Sequence, residues 1–169
     1  MGRIRTFILP LAAGAAALLG AGHAQNISAV TAEELEAALS EAGFGDIAFY
    51  EEASGGGPVM YATAGDTEFW VRTLDCSGRP PACGTLMFFA NFPLGRAPTA
   101  KDFRIVDDFR DGQVFGRAYI LESENKVGVD YVIELEGGVA KEHLSQNIGR
   151  WADVIIAFIE KFNAGYDGS

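Results

Sequence analysis

The chain has 169 residues, with 23 acidic side chains against 13 basic ones and a formal charge of −10 at pH 7. That sign excludes the basic footprint a nucleic-acid binder needs to neutralise phosphates, and it opposes attachment to an anionic membrane surface. The length leaves room for one domain around one core.

The chain opens M-G-R-I-R-T, with Arg3 and Arg5 and no acid, and residues 7–19 are apolar. Gly22 and Ala24 stand at −3 and −1 of a cleavage after Ala24. A basic start, a short apolar run and a small-residue cleavage site predict a signal peptide over residues 1–24. About 13 apolar residues are too few to span a bilayer, which takes roughly 20. No cysteine follows the run, so no lipid anchor is expected. The mature chain would start at Gln25 as an exported, periplasmic or secreted, protein without membrane contact. Loss of Arg3 and Arg5 takes the 13 basic residues to 11 and the charge from −10 to −12.

Residues 25–31 read as a short tail. Thr31 followed by Glu34 is a capping box, and Leu35, Ala38, Leu39 and Ala42 form a stripe before Gly43, which predicts a helix over 32–42. Residues 47–51 and 59–63 read as short strands around the turn S-G-G-G-P. That glycine run leads into a strand and carries no Lys-Ser/Thr, so it is not a phosphate loop.

Residues 68–74 and 85–92 form a strand pair around S-G-R-P-P-A. Phe69, Val71 and Thr73 point one way, and Trp70, Arg72 and Leu74 the other. In 85–92, Met87 and Phe89 oppose Leu86, Phe88, Ala90 and Phe92. A strand apolar on both sides needs cover on both, which makes 85–92 the central strand.

Cys76 and Cys83 end the two strands across the loop and are the only cysteines. In an exported chain they read as one disulfide, whose loop closure contributes roughly 2.5 kcal/mol in the chain-entropy picture. Six residues separate them, so the low-pKa C-x-x-C arrangement of a redox pair is absent. His143 is the only histidine beyond the leader, which leaves no zinc ligand set. No metal and no cofactor are expected.

Thr99 caps a helix predicted over 100–108, with Phe103, Val106 and Ile105 facing inward. Strands follow at 113–121 and 126–136, joined by E-S-E-N. In the second, Val127, Val129, Tyr131, Ile133 and Leu135 alternate with Gly128, Asp130, Val132, Glu134 and Glu136, so the latter face is expected to be wet at Asp130 and Glu134. After Gly137-Gly138, a helix over 141–162 carries Leu144, Ile148, Trp151, Ile155, Phe158 and Phe162 in one stripe. Gly165 lies in its C-cap region, and 164–169 read as a tail. The order α-β-β-β-β-α-β-β-α, with strands in runs, predicts a single α+β domain over 32–163 with a mainly antiparallel sheet and the long C-terminal helix packed on it.

No residue set names a reaction. His143 and Ser145 are two apart on a helix and diverge. Glu51-Glu52 point to opposite sides of a strand. Asp107-Asp108 are adjacent and unselected by any partner. There is no D-x-D-x-D-G calcium loop. Arg72 and Arg117 can pair across the sheet with Glu68 or Asp130.

The long helix can cover only one sheet face. The other, carrying Trp70 and Leu74, must be covered by the helices at 32–42 and 100–108 or by a second molecule. That makes Trp70 and Leu74 candidate partner-binding residues, for a protein partner or a homodimer.

Three stretches resemble the YbjN-domain family, bacterial proteins described as "putative sensory transduction regulators". They are the unit E-F-W-V-R-T-L-D-C with C-G-T-L-M-F-F-A-N-F, the stretch V-F-G-R-A-Y-I-L-E, and V-D-Y-V-I-E-L-E-G-G-V followed by a helix with Trp151. The resemblance covers about residues 30–163. It implies a fold similar to type III secretion chaperones and a non-enzymatic, often dimeric, protein-binding role. One departure stands out. Family members often carry Asn-x-Trp-Asn before the stretch that matches V-F-G-R-A-Y-I-L-E, where residues 106–110 of this chain read V-D-D-F-R. Phe109 and Arg110 therefore become partner-binding candidates. Two other readings remain at this point: a small hydrolase with an acidic cleft, or a sensor with a ligand pocket between sheet and long helix.

Overall fold

The computed structural model describes residues 26–50 and 57–167. The elements are β1 (Asn26–Ile27), β2 (Val30–Thr31), α1 (Ala32–Glu41), β3 (Gly45–Tyr50), β4 (Val59–Ala64), β5 (Thr67–Ser77), β6 (Ala82–Pro93), α2 (Ala100–Gly112), β7 (Arg117–Leu121), a 3-10 turn (Glu122–Glu124), β8 (Lys126–Glu134), β9 (Val139–Ala140) and α3 (Lys141–Asp167). The predicted signal peptide, Glu51-Glu52 and most of the S-G-G-G-P turn lie outside the described residues.

The main sheet is antiparallel in the order β3-β4-β5-β6-β8-β7, and β2 also pairs with β6. The architecture is α+β, and the strand apolar on both sides, β6, is central between β5 and β8. Residues 26–31, read from sequence as a tail, instead form two short bridges. Val30 and Thr31 pair with Cys83 and Ala82, and β1 pairs with β9. Two-residue strands carry no periodicity, so nothing in the sequence marks them.

The three α-helices of the described residues pack on one sheet face. Leu35 and Leu39 of α1, Val106 and Phe109 of α2, and Leu144, Ile148, Trp151, Ile155 and Phe158 of α3 join Phe69, Val71, Leu86, Phe88, Val129 and Ile133 in one core. At its centre Trp151 meets Phe69 and Phe88 at ring-centroid distances of 5.9 and 5.8 Å. Cover of the second face by α1 and α2, one of the two arrangements open from sequence, is therefore overturned. α1, between β2 and β3, and α2, between β6 and β7, both lie on the core side, where their apolar stripes find the inward strand residues.

The α1 capping box forms as read: the Glu34 amide donates to Thr31 Oγ1 at 3.3 Å, and the Thr31 amide to Glu34 Oε2 at 2.8 Å. α2 departs from expectation. It runs on to Gly112, and Phe103 is 39% exposed while Asp102, Ile105, Val106 and Phe109 are buried. The carboxylate, not the ring, takes the inward position, because it is satisfied there. Asp102 accepts from Arg96 Nη1 and Nη2 at 2.7 and 3.0 Å, from the Thr99 amide and hydroxyl at 2.7 Å each, and from the Tyr166 hydroxyl.

Gly116 explains why the next strand starts at Arg117 rather than at 113. It turns with φ +84, and a Cβ there would stand 2.5 Å from Val154 of α3. Gly165 also differs from its expected role. It lies inside α3, which continues to Asp167, and a Cβ would meet Ile105 of α2 at 2.5 Å. It is a close-approach glycine between helices, and the anchoring of Tyr166 onto Asp102 and Arg96 holds the added turn. β8 ends at Glu134, two residues short of the expected 136, and Leu135 is buried with its amide donating to Gly84 O at 2.8 Å.

Cys76 and Cys83 are directly opposed in the β5–β6 register and bonded to each other. Cys83 is buried and also pairs with Val30 of β2, so the bond ties the hairpin tip to the N-terminal bridge. The Cys76→Ser/Cys83→Ser double variant is expected to lose about 2–3 kcal/mol in urea unfolding. Free thiols in the native, unreduced protein would contradict the bond.

Pairing with Arg96 holds the Asp102 carboxyl well below the usual carboxylate range, against the opposing effect of burial. A folded-state pKa below the unfolded one stabilises the fold above about pH 4, and this contribution fades as pH falls below that. Urea midpoints measured from pH 7 to pH 3 should therefore drop more steeply for the parent than for Asp102→Asn. Parallel curves would show that another group governs the acid limb.

Candidate functional site

The face of the sheet opposite the helices is built by strand alternation. Tyr61 of β4 opposes Trp70 of β5, Trp70 opposes Phe89 of β6, Phe89 opposes Asp130 of β8, and Asp130 opposes Arg117 of β7. A second row runs Tyr50, Val59, Arg72, Met87 and Val132. Residues two apart on a strand share a face, so both rows project to the same side.

Trp70 is the centre of this surface. Its ring meets Tyr61 at 5.1 Å and Tyr50 at 5.5 Å between centroids, and the Arg72 guanidinium stands 5.8 Å over Phe89. Tyr50, Val59, Glu68, Trp70, Arg72, Phe89, Asn91 and Lys126 line a groove of about 480 Å3. Around the rings the polar groups are tied down. The Tyr61 hydroxyl donates to Glu68 Oε1 at 3.1 Å and the Tyr119 hydroxyl to Asn91 Oδ1 at 2.8 Å. Burial, with the nearby Asp130 charge second, pushes the Tyr119 phenol up to about 12.

The structure places Trp70 and Leu74 on this open face, as the alternation predicts; Leu74 is 38% exposed. It does not bring them together with Phe109 and Arg110. Phe109 is buried against Phe158 of α3 at 5.4 Å on the covered side, out of reach of a partner. Its position at the inward phase of a longer α2 decides this. Arg110 Nε donates to Ala118 O at 2.8 Å on the edge strand β7, and Nη1 to Asp107 at 3.2 Å. Arg110 thus occupies a carbonyl of β7 that an added strand would use.

Arg117 pairs with Asp130, with Nη2 to Oδ2 at 2.5 Å, which was one of the two pairings open from sequence. The wet face expected at Asp130 is corrected by the same contact, because Asp130 is only 4% exposed under Arg117 while Glu134 is exposed.

Sequence reading missed one meeting of acids: the Thr85 hydroxyl lies 2.7 Å from Asp75 Oδ2 and 2.8 Å from Glu134 Oε1. Its single proton serves one oxygen at a time. The two acids are 59 positions apart in the chain, and only the β5–β6–β8 register joins them. His143 and Ser145 are exposed near the start of α3, and no hydrogen bond joins their side chains among the described residues. Asp107 pairs with Arg110, and Asp108 stands 3.9 Å from Lys161, so these neighbours diverge. Among the described residues no group of three or more His, Cys, Asp or Glu is placed to hold a metal, and no helix is long and apolar enough to cross a membrane.

Comparison with known proteins adds a family and a fold. The family model YbjN, described as "Putative bacterial sensory transduction regulator", matches residues 31–164. A search of curated proteins finds no match. Among solved structures, the crystal structure of YbjN from E. coli, described as "a putative transcription regulator", is similar with a TM-score of 0.53 and 14% identity, over 85% of this chain and 97% of that one. At that identity the likeness concerns the fold.

The two tryptophans give a direct readout of the two faces. In Trp70→Phe protein, the remaining emission from buried Trp151 should resist acrylamide quenching; in Trp151→Phe protein, that from Trp70 should be readily quenched. Equal quenching in both would contradict the one-sided cover.

Proposed function

The chain belongs to the YbjN family, and from that premise we propose that it is an exported, non-catalytic regulator that binds a protein partner, in chaperone-like fashion, through its open sheet face. The observation that carries this reading is the Trp70 groove: half-buried aromatic side chains on a sheet face with no helix over it among the described residues. Aromatic side chains with tethered polar edges are the groups from which interface hot spots are built. The mixed surface also explains how the face can meet water. Each large ring has a polar neighbour, so the apolar area is broken into small patches.

Two observations support export: the basic, apolar and small-residue pattern of residues 1–24 and the disulfide, a bond that persists in oxidising compartments. The charge of −10 speaks against direct DNA binding, so the regulation we propose is exerted on a protein.

A second copy is the first partner to test, since a two-fold contact would place each Trp70 groove against the same surface of its mate. Residues 25–169 should show reversible self-association in sedimentation velocity over a concentration series, and Trp70→Glu should abolish it with the circular dichroism spectrum unchanged. A monomer at every concentration would rule out the homodimer. The test then becomes recovery of one protein from envelope extract by the parent and not by Trp70→Glu; equal recovery by both would remove the open face from the proposal.

A further inference from the structure

The main sheet ends in two different ways. At the β7 edge, α2 packs alongside and Arg110 Nε takes the Ala118 carbonyl at 2.8 Å. At the other edge, β3 pairs with β4 alone, and among the described residues no backbone hydrogen bond reaches its outer side. Half of the amides and carbonyls of an edge strand point outward, and only another extended backbone can pair with them in a row. β3 carries no Lys, Arg or Pro, the residues that blunt such an edge. Its one protective device is the register shift between Gly45 and Ala48, where Asp46 has φ +47; from Ala48 to Tyr50 the ladder with β4 is regular.

The side chains of β3 are incompletely covered on both faces. Phe49 follows Ile47 on the core side and opposes buried Met60, yet it is 46% exposed. Tyr50 points to the open face, is 51% exposed and stands 5.5 Å from Trp70 between ring centroids. A strand laid along β3 would cover both rings at once, with alternate side chains on either face.

Charge then separates the possible occupants. The sequence brackets residues 47–50 with Asp46 on one side and Glu51-Glu52 on the other. A second copy of β3 run antiparallel would set acid against acid at both ends, which is destabilising. A segment with basic flanks meets opposite charge there.

We propose that β3 is a strand-addition edge: an extended segment of a partner protein, apolar on both faces and flanked by Lys or Arg, pairs with residues 47–50. The proposal rests on the open-face reading, because the added strand widens that face next to Tyr50 and Trp70. On the core side the same strand completes the cover of Phe49.

The probe is the peptide K-T-V-Y-V-T-K, whose valines share one face while its tyrosine takes the other. It is titrated into residues 25–169, with amide exchange followed by NMR. Binding with Kd below about 1 mM is expected, with exchange of the outward amides of residues 47–50 slowed about tenfold or more at saturation and the β7 amides unchanged. The same peptide N-methylated at every amide should not bind, and E-T-V-Y-V-T-E should bind about tenfold more weakly. Phe49→Lys, which puts a charge on the edge, should lose the peptide; the exchange data on the parent decide the matter even where that variant unfolds. No binding of the lysine-flanked peptide, or protection at β7 instead of β3, would overturn the edge. Undiminished binding of the N-methylated peptide would overturn the main-chain mode, and equal affinity for the glutamate-flanked one would overturn the basic flanks. An envelope protein lost by Trp70→Glu but kept by Phe49→Lys would leave the open-face reading standing and remove β3 from it.

Discussion

Trp151 seated against Phe69 and Phe88 is the contact on which the rest of this fold depends. It lies at the middle of the α3 stripe and is fully buried, and its indole N–H has no hydrogen-bond partner among the described residues. Leaving a buried donor unpaired costs about 1–3 kcal/mol, while burying a ring of this size offsets more than that. Truncation of such a residue typically costs about 3–5 kcal/mol. The indole is therefore present for its area and shape. It sets the height of α3 above the sheet, and with it the spacing that Gly116 and Gly165 must accommodate where Val154 and Ile105 come close.

One-sided cover follows from this. With α3 centred on the inward rows of β5 and β6, α1 and α2 flank it on the same face and extend the core sideways. Among the described residues no helix covers the outward rows. Their solution is chemical rather than architectural: Tyr61 with Glu68, Tyr119 with Asn91, and Arg117 with Asp130 thread polar pairs between the rings. These pairs differ in cost: Tyr61–Glu68 is exposed and contributes little, while Asp130 is buried and relies on Arg117 to compensate its charge. Their effect is to keep an aromatic face soluble while leaving Trp70 available. The sheet's β7 edge is guarded in a comparable way by Arg110 on the Ala118 carbonyl.

Much of this was legible because the informative signals are periodic. The alternation in β5, β6 and β8 assigned every residue from Phe69 to Leu74 to its observed side, and the α3 spacing identified the core stripe. The capping box located α1. What escaped has physical causes. Residues 26–31 pair through two-residue bridges too short to carry a period. In α2, hydrophobicity favours Phe103 inside, yet a fully satisfied Asp102 takes that phase, and Phe109 follows it inward. The Asp102–Arg96–Tyr166 cluster joins residues up to 70 positions apart, and sequence spacing gives no hint of it. The likeness in core and turn residues identified the family because those positions are what the fold requires; the partner face depends on side chains the fold leaves free.

β6 lines both the open groove and, on the covered side, a slot against the end of α3. Phe89 faces the groove, and Phe92, three residues on, faces the slot. Shared backbone does not make them coupled, because a ligand shifts a distant site only if it distinguishes two states of the element between them. β6 is hydrogen-bonded to β5 on one side and to β8 on the other along most of its length, and the disulfide pins its start. It is the part of the sheet with the fewest alternative arrangements. The end of α3 is held by Tyr166 on Asp102, by Gly165 close against Ile105 and by Phe162 on Phe158, and makes no contribution to the open face. A change at the end of α3 therefore leaves the geometry of the Trp70 groove as it is.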